Sequence, residues 1–232
     1  MPDTDHDLSK SIQNYLKAIY RLTLGGAAAT TNQIAEQMDL SPSSATVMVQ
    51  RLARLEPPLV DYHKHQGVFL TPDGRREALR VIRRHRLIEL YLVEKLGYAW
   101  DEVHADAEQL EHCASERFID RLAETLGNPF FDPHGDPIPD RDLRVPEQHT
   151  LPLAALAPGE KGIVRQVESG ETRLLSYLHS LGIAPGIGLE VIDVVPFDRT
   201  VQVKLLDSQK GVVFGPEISE HIQVEKIGLP ND

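Results

Sequence analysis

The sequence predicts a mainly α-helical chain ending in a β domain: a winged helix-turn-helix, then two long helices, then a small, mostly β barrel. Three observations carry this. Two helical segments meet at the turn Asp39-Leu40-Ser41-Pro42 and run into a hairpin pattern. Residues 127–150 hold Pro129, Pro133, Pro137, Pro139 and Pro146, which forbids a helix there and marks an ordered loop leading into a linker. From residue 151 onward the apolar spacing changes to that of strands.

Taken in order, Ile12, Leu16, Ile19 and Tyr20 recur at helical spacing. Thr30 or Thr31 caps a short helix containing Ile34, Ala35 and Met38. Ser41 is the N-cap of the next helix and Pro42 its first residue. That helix is expected to run through Leu55 and to bury Ala45, Val49 and Leu52. Leu59–Tyr62 and Gly67–Leu70 read as strands flanking the turn His63-Lys64-His65-Gln66. Thr71-Pro72-Asp73-Gly74 is a turn cluster before a long helix over 73–97. Residues 101–126 read as a second long helix, with Val103, Ala107, Leu110 and Ala114 as its core stripe and Cys113 as a core residue. In the β region, 188–195 and 200–206 are strands, and a helix over 172–181 interrupts the pattern.

Composition narrows the function. The 232 residues carry a net charge of −11 and one cysteine, which excludes an internal disulfide framework and any cysteine-based zinc site. No apolar run approaches the roughly 18 residues of a membrane span, and the Asp-rich start MPDTDHDL is unlike a signal peptide. A cytoplasmic protein without a membrane partner is expected. The charge is graded: residues 1–90 hold 12 basic and 10 acidic side chains, residues 91–160 only 5 against 15. A locally basic N-terminal third beside an acidic middle fits a nucleic-acid binder that holds a cation elsewhere.

A recognition helix needs small polar groups and long donors toward its N-terminal half, so that side chains reach base edges. Ser43, Ser44, Thr46 and Gln50 meet that need, with Arg51 and Arg54 placed for phosphates. His63, Lys64 and His65 at the hairpin tip suit backbone contacts in a neighbouring groove. Ser43 and Ser44 taken singly are equally what a helix cap requires; the ensemble points to double-stranded DNA.

The acidic middle is patterned as well. His104, Glu108, Glu111 and His112 fall within an arc of roughly 100° on a helix, beside the apolar stripe. His85 and Glu89 share a face of the preceding helix. A lone pair at this spacing is an ordinary solvated surface. Six imidazoles and carboxylates on consecutive helices form a set suited to a divalent first-row ion. Carboxylates so crowded repel one another unless a cation or proton intervenes.

At these residues the sequence resembles the diphtheria toxin repressor family of metal-dependent transcriptional regulators, in its manganese-regulator branch. The likeness spans nearly the whole chain. It is carried by Tyr15–Tyr20, Ser43–Gln50, the run from His85 through His112, and Asp132–Pro139, which looks like the family's loop after the dimerisation helices. The resemblance implies a winged helix-turn-helix DNA-binding domain over 1–72, a helical dimerisation and metal-binding domain over 73–146, and an SH3-like barrel over 147–232. It implies two metal sites per subunit. One would use Asn14, Glu108, Glu111 and His112, with His6 or Asp7 as alternatives to Asn14. The ancillary site would use His85, Glu89 and His104, with Glu171 from the barrel. Asn14 stands where the family has methionine or aspartate, and Lys17 where the manganese branch can have glutamate.

The reading is therefore a homodimeric repressor of metal-uptake genes, activated by Mn2+ with Fe2+ as second, that binds operator DNA. Its rivals are a di-metal carboxylate enzyme, for which no repeated Glu-x-x-His or further base appears, and a metal-independent dimeric regulator.

Overall fold

The computed structural model describes residues 8–64, 66–167 and 172–228. The N-terminal unit runs α1 (Lys10–Thr23), α2 (Thr31–Gln37), α3 (Pro42–Leu52), β1 (Val60–His63) and β2 (Gly67–Leu70). Local chemistry sets each boundary. Thr30 and Gln33 form a reciprocal capping box on α2. The Ser41 hydroxyl accepts from the Ser44 N–H at 3.2 Å, and Pro42 opens α3. The third helix stops at Leu52, three residues short of the expected Leu55, and its chain then turns through Arg54–Pro58 into the antiparallel wing, where Val60 pairs with Leu70. Tyr15, Leu16, Ile19, Ile34, Ala45, Val49, Leu52 and Val68 close the core of this unit.

Next comes α4 (Pro72–Leu96), capped by Thr71 and ended by Gly97 at φ 74°, a left-handed position that favours glycine. At 25 residues it is about 37 Å long. It serves two cores: Ala78, Leu79 and Ile82 join the N-terminal one, while Leu87 and Ile88 pack with Val103, Ala107, Ile119 and Leu122. Gly74 allows its start to lie on the wing, because a Cβ there would sit 1.8 Å from the Leu59 carbonyl oxygen.

The expected single helix over 101–126 is two: α5 (His104–Leu110) and α6 (Glu116–Thr125). Ser115 caps α6 by accepting from the Phe118 N–H at 3.3 Å, and the chain turns through 111–114 to reach it. Two expectations fall with the break. Leu110 is 49% exposed instead of part of a core stripe, and Cys113 lies exposed in the turn.

The C-terminal unit comprises β3 (Leu151–Pro152), a 3-10 turn at Leu153–Ala155, β4 (Lys161–Val167), α7 (Thr172–Leu181), β5 (Gly188–Val194), β6 (Val201–Leu205), β7 (Gly211–Phe214), α8 (Pro216–Ser219) and β8 (Ile222–Lys226). Its antiparallel sheet has the order β3-β8-β4-β5-β6-β7, bulged at Val164/Gln166 and at Val191/Asp193. Leu153, Val164, Leu178, Ile183, Leu189, Val203, Phe214 and Val224 fill its core.

Candidate metal centre and DNA-facing surface

The donors converge because α1, α4 and α5 pack around one point. From α4, His85 and Glu89 lie one turn apart, 4% and 2% exposed. His85 Nε2 is 2.9 Å from Glu89 Oε1 and 3.2 Å from His104 Nδ1. The other ring nitrogen, Nδ1, is 2.6 Å from Glu111 Oε2. His104 Nδ1 in turn reaches Glu89 Oε1 at 3.2 Å. The rings of His85 and His104 meet edge to face at 4.8 Å. Although α5 ends at Leu110, Glu111 keeps helical dihedrals as its C-cap, so its fully buried carboxylate still points at His85.

From α1 come Gln13, Asn14 and Lys17. Lys17 Nζ donates to Glu111 Oε1 at 2.7 Å and Oε2 at 3.0 Å, and to Glu108 Oε2 at 3.3 Å. His112 Nδ1 pairs with Gln13 Oε1 at 2.5 Å. Among the described residues, Asn14 Oδ1 and His112 Nε2 are buried without a hydrogen-bond partner. His112 Nε2 lies 3.2 Å from Glu111 Oε1 without the alignment of a hydrogen bond. Two lone-pair donors left unpaired beside a carboxylate pair are what a cation-binding position presents. A cavity of about 270 Å3, lined in part by Asn14, Lys17, His104 and Glu108, opens this place to solvent.

The structure adds residues whose role the sequence reading left unassigned. Asp132 and His134, in the proline-rich loop, are both 6% exposed. His134 Nδ1 lies 3.6 Å from Glu89 Oε2, and Glu89, Asp132 and His134 offer ligand atoms within 4.8 Å of one another. The triads His85-Glu89-His104 and His85-Glu108-Glu111 meet the same measure. Asp132 Oδ2 is buried without a hydrogen-bond partner among the described residues, 3.8 Å from Arg86 Nε. The available signal was an acid and a histidine two residues apart, in a loop with a glycine. Gly135, at φ 85°, lies against β4, where a Cβ would sit 1.8 Å from the Arg165 carbonyl oxygen. The loop is pinned there: Val167 N–H donates to His134 O at 2.9 Å and Gln166 Nε2 to Asp136 Oδ1 at 2.7 Å. His134 Nε2 lies 2.8 Å from the Trp100 carbonyl oxygen.

Electrostatics express the crowding. Burial pushes the Asp132 carboxyl up to about 7, with the charges of Asp136 and Glu89 adding to it. Burial opposes charge on His134, but Glu89 overrides it and holds the imidazole at about 9. Burial likewise opposes the charged forms of Glu89 and Glu111. Together His85, His104 and His134 outweigh it at Glu89, and His85 with Lys17 at Glu111, so each carboxyl is lowered below its ordinary range. His112 is lowered, chiefly by burial. Without a cation, protons and ion pairs offset the negative charge of the site.

Glu171 lies outside the described residues, as do His6, Asp7 and His65. On the DNA-facing side, Ser43, Ser44, Gln50, Arg51 and Arg54 are exposed on α3 or just beyond it, and Thr46 is half-buried. Ser41 Oγ contacts Ser43 Oγ at 2.9 Å and Ser44 Oγ at 2.8 Å, so both serines also serve the cap. The Thr46 hydroxyl donates to Pro42 O, which leaves its oxygen able to accept. His63 and Lys64 are exposed on the wing, His63 lying 3.0 Å from Asp61. Three arginines of the basic third point elsewhere. Arg83 pairs with Asp120, Arg84 with Glu116, and Arg86 with Asp136, all inside the helical unit.

Three family models match: the iron dependent repressor N-terminal DNA binding domain over residues 7–68, the iron dependent repressor metal binding and dimerisation domain over 71–140, and the FeoA domain over 151–226. The iron-dependent repressor IdeR of Mycobacterium tuberculosis is 31% identical over 234 residues, covering 96% of this chain and all of that one. The HTH-type transcriptional regulator MntR of Geobacillus kaustophilus is 36% identical over 116 residues, half of this chain and 80% of its own. A solved manganese-dependent transcriptional repressor in complex with manganese superimposes with a TM-score of 0.84 at 38% identity, covering 93% of this chain and all of that one.

Proposed function

The chain belongs to the diphtheria toxin repressor family of metal-dependent transcriptional regulators, in its manganese-regulator branch, and on that premise we propose that manganese is its activator, with iron a weaker second. It is a metal-activated DNA-binding repressor and not an enzyme, as its relatives are. It acts on DNA as a homodimer, and among the described residues no helix is long and apolar enough to cross a membrane. We assign DNA binding to residues 1–72, dimerisation and metal binding to 73–146, and the barrel to 147–232. The proposed location is the cytoplasm and the proposed targets are metal-uptake genes.

The observation that carries the metal reading is the pair of unpartnered atoms, Asn14 Oδ1, whose residue lines one cavity with Glu108, and His112 Nε2, 3.2 Å from Glu111 Oε1. Those four residues are the proposed first site. His85, Glu89 and His104 are proposed for the ancillary site, with Asp132 and His134 as further donors and Glu171 as the barrel's candidate. All are oxygen or imidazole donors, and Glu108 occupies the position where sulfur would favour softer ions; the hard set favours manganese relative to a sulfur-bearing site. A bound divalent ion would supply fixed positive charge between α1 and the carboxylates of α5. Asn14 would thereby hold α1, and with it the DNA-binding core, in one orientation against the helical unit. A dimer needs its two recognition helices about 34 Å apart to enter successive major grooves, so the orientation of α1 sets operator affinity. Ser43, Ser44, Thr46 and Gln50 would read bases, while Arg51, Arg54, His63 and Lys64 would contact phosphate.

The test is a DNA-binding titration against manganese, iron, zinc and cobalt, with a chelator control. Operator affinity should rise most steeply with manganese. Equal affinity in chelator would select the metal-independent regulator.

A further inference from the structure

We propose that Lys17 is a tethered cation: its ammonium occupies one of two cation positions around the Glu108–Glu111 carboxylate pair, so that this pair takes a single divalent ion. The proposal rests on the assignment of Glu108, Glu111 and His112 as metal ligands.

Two donor sets share the carboxylate pair and differ in chemistry. In the first set His85, Glu108 and Glu111 form a ligand triad with atoms within 4.8 Å of one another. Lys17 Nζ sits against the oxygens of that triad, at 2.7 and 3.0 Å from Glu111 and 3.3 Å from Glu108. Its side chain is 7% exposed and Glu111 is fully buried, so solvent does little to screen the contact. The second set adds Asn14 Oδ1 and His112 Nε2, buried and without partners among the described residues, with His112 Nε2 3.2 Å from Glu111 Oε1. The first position is therefore filled by the chain's own charge, and the second keeps free lone pairs. An ammonium and a divalent ion do not occupy the first set together, because two cations would be held against the same oxygens in a site with little solvent screening. The tether has a second effect. It joins α1 to the end of α5 before any metal arrives, so metal strengthens an existing clasp and does not create one.

The experiment is manganese binding to the full-length protein, counted by equilibrium dialysis with elemental analysis and read in parallel by electron paramagnetic resonance. The wild-type spectrum at saturation should lack the signature of a carboxylate-bridged, exchange-coupled manganese pair. Lys17→Glu, which exchanges the cation for a ligand, should bind one more manganese per chain and acquire that signature. Should Lys17→Glu fail to fold, Lys17→Gln replaces it, with the same gain in count expected. A coupled pair in the wild-type protein overturns the proposal with no variant needed. So does an unchanged count and spectrum in a folded variant. Loss of the underlying assignment looks different: Glu108→Ala and Glu111→Ala would then leave the wild-type manganese count untouched.

Discussion

Replacing Glu111 by Gln keeps the volume of a fully buried side chain and removes only its charge. The neutral amide leaves Lys17, itself 5% exposed, without its main counter-ion. Breaking a buried pair from one side costs about 3–5 kcal/mol, because the remaining charge stays desolvated. Glu108 still offers an oxygen at 3.3 Å and is about one-third exposed, so the lower end, about 3 kcal/mol, is expected. That is roughly a hundredfold loss in the folding constant, at about 1.4 kcal/mol per tenfold. Lys17→Met should cost less, because Glu111 keeps its 2.6 Å partner His85. The double variant Lys17→Met/Glu111→Gln should then be more stable than Glu111→Gln alone, since no unpaired ammonium is left. The assay is urea unfolding in the presence of chelator, followed by helical circular dichroism. Loss of bound metal then contributes nothing to the difference. Near-wild-type stability of Glu111→Gln, or strict additivity of the two substitutions, would show that Lys17 and Glu111 are not an energetically coupled buried pair.

Three further outcomes are expected. Lys64→Ala should weaken binding to every duplex and lower the salt slope by about one, whereas Gln50→Ala should relax preference at one base pair by about 1–3 kcal/mol; an unchanged slope for Lys64→Ala removes the wing from the interface. Glu108→Cys should move half-saturation of operator binding in favour of zinc and cadmium over manganese, and an unaltered order of metals would mean that Glu108 does not set selectivity. Gly135→Ala should push the loop off β4, since its Cβ would meet the Arg165 carbonyl oxygen at 1.8 Å. Amide exchange in β4 should accelerate and any metal held by His134 should weaken by about 10–100-fold, while protection equal to wild type would show that the loop tolerates the methyl group.

What the sequence made legible was local. Ser41-Pro42 announces a helix start through a hydroxyl cap and proline and stands where expected, and of the two candidate caps Thr30 and Thr31 it is Thr30 that caps α2. Thr71–Gly74, expected as a turn, is itself the start of α4, with Thr71 as cap and Pro72 as first residue. The helix over 172–181 has the expected limits. The break at Glu111–Ala114 escaped because it holds neither glycine nor proline; Ser115 as a cap is the only local mark, and apolar spacing runs on through it. The ligand face survived the error because Glu111 retains helical dihedrals after the last full turn. Charge counting could not separate Arg51 and Arg54, which are exposed, from Arg83, Arg84 and Arg86, whose partners lie 32 to 50 positions away in sequence. Asp132 and His134 join the cluster only once β4 holds their loop, a long-range contact that no spacing rule contains.

The distribution of these contacts decides which element carries the metal signal to the DNA-binding unit. As one continuous helix that is built into both helical cores, α4 is held on its far side by Arg83, Arg84 and Arg86. Bending it would break several buried contacts together, so it behaves as a strut. The first helix differs. It meets the metal-binding end of α5 and its following turn through three polar side chains, Gln13, Asn14 and Lys17. Two of these pair with His112, Glu108 and Glu111, and the third keeps an unpartnered oxygen. Tyr15, Leu16 and Ile19 of the same helix lie in the DNA-binding core, so a change in how Asn14 is held is felt where α3 is oriented. A coupling of about 1–3 kcal/mol through that helix suffices for a roughly 5–150-fold change in operator affinity. Because Lys17 already supplies part of the α1–α5 contact, the expected response lies toward the lower end of that range. Removing the lysine should widen it.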